Sequence, residues 1–70
     1  MLNWQPVASS NISEVAYDAE QSELHIKFHG GAEYIYSEVP QPVFDSFLDA
    51  PSKGQFFATT IKGSYNFSKA

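Results

Sequence analysis

Two histidines and a lysine fall on alternate positions of one short run, His25, Lys27 and His29, with Glu23 in the same phase. These side chains can ligate metals, move protons or pair with anions, and their spacing decides which of those is open to them. In an extended strand alternate residues share a face about 6 to 7 Å apart, which puts His25 and His29 roughly 13 Å from each other. One ion cannot bridge that gap, so no metal site is expected. Ser9, Ser10 and Ser13 lie near each other and either histidine could act as a base in principle, yet no third group stands ready to orient them. Gly30-Gly31 does not open a helix, so it reads as a turn and not as a phosphate loop. The acidic residues Glu14, Asp18, Glu20 and Glu23 cluster without the spacing of a calcium loop. The expectation is a protein with no catalytic residues, no cofactor and no metal.

Aromatic residues are the unusual feature. One Trp, four Tyr and six Phe stand among 70 residues, more than a core this small needs from aliphatic side chains alone. Tyr34 and Tyr36, with Tyr17 or Tyr65, are candidates to line a surface on which a peptide ring or a base stacks. His25, Lys27 and His29 would stand beside them if all share a face. Protein-binding surfaces use tyrosine and tryptophan as anchors, and stacking of nucleic-acid bases contributes about 1 to 3 kcal/mol each.

Charge separates those partners. Four basic against eight acidic residues leave a net charge of −4, and all four basic residues are lysines. Phosphate backbones are held mainly by Lys and Arg, and arginine supplies the bidentate grip. An unknown protein partner is therefore expected first and RNA second. With no cysteine, disulfides are excluded and the cytoplasm is the expected compartment. No apolar run approaches the roughly 20 residues that span a bilayer, and Met1 to Trp4 lacks the pattern of a signal peptide.

The elements that would position these residues read in chain order. Residues 1–70 form a single domain, with 1–6 a flexible arm and 7–67 the folded core; Trp4 is expected to tuck back and cover an edge. Ile12 to Tyr17 is a first strand, with Val15 and Tyr17 on one face and Glu14 and Ala16 on the other. Leu24, Ile26 and Phe28 alternate with the polar triplet in a second strand whose polar face meets solvent. Gly30-Gly31 allows a tight return into Ala32 to Ser37. At least one of the rings of Tyr34 and Tyr36 belongs to the core, because Ile35 alone is a poor anchor.

Helical spacing follows. Val43, Phe44, Phe47 and Leu48 make an apolar stripe after Pro42, and Ala50-Pro51 ends it. Ser52 to Gln55 has the spacing of a capping box, leading into a second helix that presents Phe56, Phe57, Thr60 and Ile61 and stops at Gly63. Ser64 to Phe67 is either an edge strand or an arm. The fold class is α+β: a three-stranded antiparallel meander packed against two short C-terminal helices, with room for short edge strands at the termini. A monomer or weak homodimer is expected.

Several motifs at these intervals are similar to the KTSC domain family, a short domain found at the C-terminus of some lysyl-tRNA synthetases and as free-standing proteins. They are S-S-N-I at Ser9 to Ile12, A-Y-D at Ala16 to Asp18, L-x-I-x-F at Leu24 to Phe28, and G-x-x-Y-x-Y from Gly31 to Tyr36. V-P-x-x-V-F from Val39 to Phe44 and S-K-G-x-F-F from Ser52 to Phe57 complete the series. The resemblance implies a compact domain without enzymatic activity, for which RNA binding has been suggested. That suggestion would rest here on Tyr34 and Tyr36, with Ser52, Lys53 and Gly54 as further family-like positions. RNA binding requires Lys27 and Lys53 to converge beside an exposed tyrosine face.

Overall fold

The computed structural model describes residues 2–70. The hairpin at its centre follows from alternation. Strand β2 (Ile12–Asp18) pairs antiparallel with β3 (Glu23–Phe28), bringing Val15 opposite Ile26 and Tyr17 opposite Leu24. The register shifts between Ile12 and Glu14, a bulge that keeps Ile12 on the apolar face opposite Phe28. Asp18 closes the reversal by accepting on Oδ1 from the backbone N–H of Glu20 (3.0 Å) and Gln21 (3.2 Å). Strand β4 (Glu33–Tyr36) returns along β3 after Gly31, whose φ of 98° suits glycine.

The expected three-strand meander is the middle of a five-stranded sheet with order β1-β2-β3-β4-β5. Both termini add edges: β1 (Gln5–Pro6) pairs with β2, and β5 (Phe67–Lys69) pairs with β4. Part of the segment expected as a flexible arm is thus held in the sheet, while Met1 lies outside the described residues. The C-terminal strand begins at Phe67, later than the Ser64 to Phe67 stretch considered for it, because Gly63 (φ 90°) and the bridge between Lys62 and Tyr65 occupy the approach.

One face of the sheet is covered by helices. Helix α1 (Gln41–Asp49) carries Pro42 in its first turn, where a missing N–H costs nothing, and buries Phe44 and Phe47. Val39 locks its entry: its N–H donates to the Ser22 carbonyl at 2.8 Å, and its carbonyl accepts from the Tyr17 hydroxyl. Helix α2 (Lys53–Phe56) starts as its capping signal predicts, with Ser52 Oγ accepting from the Gln55 N–H at 3.3 Å. It then widens into a π-helical turn over Phe57–Ile61, closed by the Lys62 N–H donating to the Phe57 carbonyl at 2.8 Å. Phe57 and Ile61 are buried there, in a core with Ile12, Val15, Leu24, Ile26 and Tyr36.

Candidate interaction cleft

Segments far apart in sequence meet at one end of the helix-covered face. The first is the turn Ser9–Ile12. Ser9 Oγ accepts from the backbone N–H of Asn11 and of Ile12, both at 3.2 Å, which folds the chain tightly on itself. This turn is clamped to the end of β3 twice: the His29 N–H donates to the Asn11 carbonyl, and His29 Nε2 lies 2.9 Å from the Ser9 carbonyl. A carbonyl oxygen can only accept, so Nε2 is the protonated nitrogen. The second segment is α2, whose Gly54 passes so close that an added Cβ would stand 3.4 Å from Ser9 Oγ, in contact with it.

Between these segments and the sheet lies a cleft of about 520 Å³. Phe28, Tyr34, Tyr36 and Phe57 line it from the sheet and the π-helical turn; Ser10, Asn11 and His29 contribute polar groups, and Lys62 a cation. No Asp or Glu is among its lining residues. That is notable in a chain with eight acidic residues. Among the described residues the one basic side chain within 4.0 Å of a carboxylate is His25, whose Nε2 lies 3.6 Å from Glu23, so no carboxylate pairs with Lys62.

The aromatic wall is a closed cycle of edge-to-face and tilted contacts. Phe28 meets Tyr34 at 5.6 Å between ring centroids and Phe57 at 5.5 Å; Tyr36 meets Phe57 at 5.5 Å. Phe67 closes the cycle against Tyr34 and Tyr36, each at 5.4 Å. These spacings are those at which aromatic quadrupoles attract. Phe67 is nonetheless 58% exposed, so the cycle is sealed from inside and open from β5. Burial of Tyr36, and then the neighbouring Tyr34, push the Tyr36 phenol above its ordinary value of 10.0, so the ring is a neutral hydrogen-bonding group at physiological pH.

The six candidate surface residues do not form one surface. Tyr34 and Tyr36 share the helix-covered face, and Tyr36 is only 2% exposed, a core residue as expected for at least one of the pair. His29 reaches the same cleft from the end of β3. His25 and Lys27 point the other way, and that face is not simply solvated. Trp4 lies over it, its ring 6.1 Å from His25 in an edge arrangement and 4.2 Å beneath Lys27 Nζ. His25 is 9% exposed, with Nδ1 buried and without a hydrogen-bond partner. Lys53 Nζ donates to the Ala50 carbonyl at 2.9 Å. Lys27 and Lys53 therefore do not converge beside the tyrosines.

Lys62 and Asn11 line the cleft without having been singled out as functional, and Phe28, Phe57 and Ser10, read in the sequence for other reasons, were not placed on the candidate surface. For Ser10, Asn11 and Phe57 a signal was present in the S-S-N-I and S-K-G-x-F-F motifs, and for Phe28 in L-x-I-x-F; Lys62 belongs to none of them. Among the described residues no cluster of His, Cys, Asp and Glu is arranged to hold a metal ion, and no helix is long and apolar enough to cross a membrane.

Fold and cleft together define a small α+β domain with a concave, carboxylate-free aromatic site. The KTSC domain model matches residues 8–65, and the chain belongs to that family. A protein of Tsukamurella paurometabola is 47% identical over 58 residues, covering 83% of this chain and 87% of that one. A lysine–tRNA ligase of Nostoc punctiforme is 38% identical over 60 residues, which is 86% of this chain but 11% of the ligase. The crystal structure of a KTSC domain protein from Yersinia pestis superposes with a TM-score of 0.94 at 38% identity, covering 100% of this chain and 99% of that one.

Proposed function

We propose that this domain is a non-catalytic interaction module and that the cleft between the Ser9–Ile12 turn, β3, β4 and the π-helical turn is its binding surface. One observation carries the proposal: motif segments from distant parts of the chain converge on a single concave site, and that site is free of carboxylates although the chain is acidic overall. Pockets of this size, mostly apolar with a few convergent polar groups, are where ligands bind. A binding role without chemistry is supported by how the cleft's reactive groups are used. His29 Nε2 is spent on the Ser9 carbonyl, Ser9 Oγ holds two backbone donors, and no carboxylate is present to orient a base. A cytoplasmic setting is supported by the absence of cysteine.

Single-stranded RNA is the second reading, favoured by the lysine–tRNA ligases among the relatives and by the aromatic wall. It is weakened by the supply of cations: Lys62 is the one lysine that lines the cleft, Lys27 stands over Trp4 on the opposite face, and Lys53 is tied to Ala50.

The test is a titration of ¹⁵N-labelled protein with a pool of short peptides and, separately, a pool of short single-stranded RNAs at low and physiological salt. Shifts concentrated on Tyr34, Gly54, Ala58 and Lys62 with peptides are the expected result. Shifts there with RNA alone would replace the first reading by the second. No shift of cleft residues with either pool at millimolar peptide and high micromolar RNA would overturn both.

A further inference from the structure

We infer that the occupant of the cleft is a segment of a partner protein carrying a large aromatic side chain with a carboxylate close to it in sequence. The inference rests on the cleft being the binding surface and adds the chemistry of what it binds.

Size sets the first limit. A volume of about 520 Å³ admits a large side chain with its adjoining backbone. The walls set the second. The rings of Phe28, Tyr34, Tyr36 and Phe57 meet edge to face, and Phe28 and Tyr34, the two that are only partly buried, offer ring surface in the cleft to another ring. An aliphatic side chain would fill the space without that geometry.

Charge sets the third. Lys62 is the one lysine among the lining residues, and among the described residues no carboxylate pairs with it. A ligand with one negative charge satisfies it. A chain of phosphates would need a cation for each; apart from Lys62, Lys69 stands opposite Tyr34 in register on β5, and Lys27 and Lys53 are committed elsewhere. The acidic residues of β2, β3 and β4, Glu14, Asp18, Glu23 and Glu33, share the opposite face of the sheet, so one carboxylate can approach Lys62 without meeting them on the cleft lining. In an extended peptide side chains two residues apart point the same way, so a carboxylate at that spacing from the ring faces the same surface.

The probe is the blocked pentapeptide acetyl-Gly-Asp-Gly-Phe-Gly-amide, titrated into ¹⁵N-labelled protein to millimolar concentration. Two companion peptides carry Lys in place of Asp or Ala in place of Phe. Shifts on Tyr34, Ala58 and Lys62 are expected with the first peptide, and binding about tenfold weaker with each companion. In the charge-swapped variant Lys62→Glu the order is expected to invert, the lysine peptide now binding better than the aspartate peptide. Lys62 is exposed, so the swap leaves the core untouched, and an unchanged spectrum away from the cleft verifies this. Equal binding of the acidic and basic peptides, or no inversion in Lys62→Glu, would overturn the inference. Cleft shifts produced by the peptide or RNA pools but not by the acidic aromatic probe would also overturn it while leaving the interaction module standing. Silence of the cleft toward every ligand would remove both.

Discussion

The two faces of this sheet are made by the same alternation and end in opposite states. On one face Leu24, Ile26 and Tyr36 are buried under helices, and the aromatic cycle continues outward into a cleft without carboxylates. On the other, register sets Glu14 and Glu33 on either side of Lys27 and Asp18 beside Glu23, with Ala16, His25 and Ile35 between them. Among the described residues Trp4 lies over that face, its ring against His25 and Lys27. The difference teaches where stability resides and where the proposed binding site opens. The first face holds the apolar area that makes so small a chain fold, and its open end is the concave site; the second collects acidic side chains.

The largest contrast concerns adjacent residues of β3. Ile26→Ala is expected to cost about 2–5 kcal/mol, because a fully buried side chain leaves a cavity. In a domain whose total stability is roughly 3–5 kcal/mol this leaves much of the protein unfolded. Lys27→Ala, one residue on but facing away, is expected to cost less than about 1 kcal/mol. Urea denaturation of both variants checks the pair, and equal losses would break the distinction between the faces.

Trp4 provides the next largest effect. Its ring is half-buried, and Trp4→Ala is expected to lower stability by about 1–2 kcal/mol and to expose His25. The same denaturation experiment measures it, with tyrosine fluorescence or circular dichroism as the signal, since the tryptophan is gone. His25→Leu has the opposite sign. The substitution removes a buried nitrogen without a partner, so it is expected to leave stability unchanged or raise it by up to about 1 kcal/mol.

The smallest effect is in pH. The Tyr36 phenol titrates above its ordinary value in the folded state, so the folded form holds its proton after the unfolded chain has released its own. Stability is unaffected by this group below about pH 10 and falls as pH rises beyond it. Denaturation midpoints between pH 9 and 11 are expected to decline less steeply for Tyr36→Phe than for the parent protein; identical slopes would remove this contribution.

How far these features were legible in the sequence follows from their range. The Leu24 to Phe28 alternation and the Gly30-Gly31 return are local, and so is the stripe Val43, Phe44, Phe47 and Leu48; each was readable because period alone specifies which side is buried. The edge strands were not, since Gln5–Pro6 and Phe67–Lys69 are too short to show a period and are held by their neighbours. The burial of His25 was hidden for a related reason: it depends on Trp4, which reaches it only because Gln5–Pro6 pairs with β2. The π-helical turn leaves no local mark, yet it carries Phe57 and Ala58 to the cleft and ends at Lys62. Aromatic residues signalled a surface, but only folding shows that Ser10, Tyr34 and Gly54 line one cleft while His25 and Lys27 lie behind it.

The most direct measurement is to plug the cleft and compare the faces. Ala58 is exposed on its lining, and Ala58→Trp would fill it without removing a core side chain. Titration of ¹⁵N-labelled parent, Ala58→Trp and Lys27→Ala proteins with the same peptide pool should give binding to the parent and to Lys27→Ala and none to the plugged variant. Undiminished binding by Ala58→Trp, or its loss in Lys27→Ala alone, would contradict the assignment of the cleft as the interaction surface.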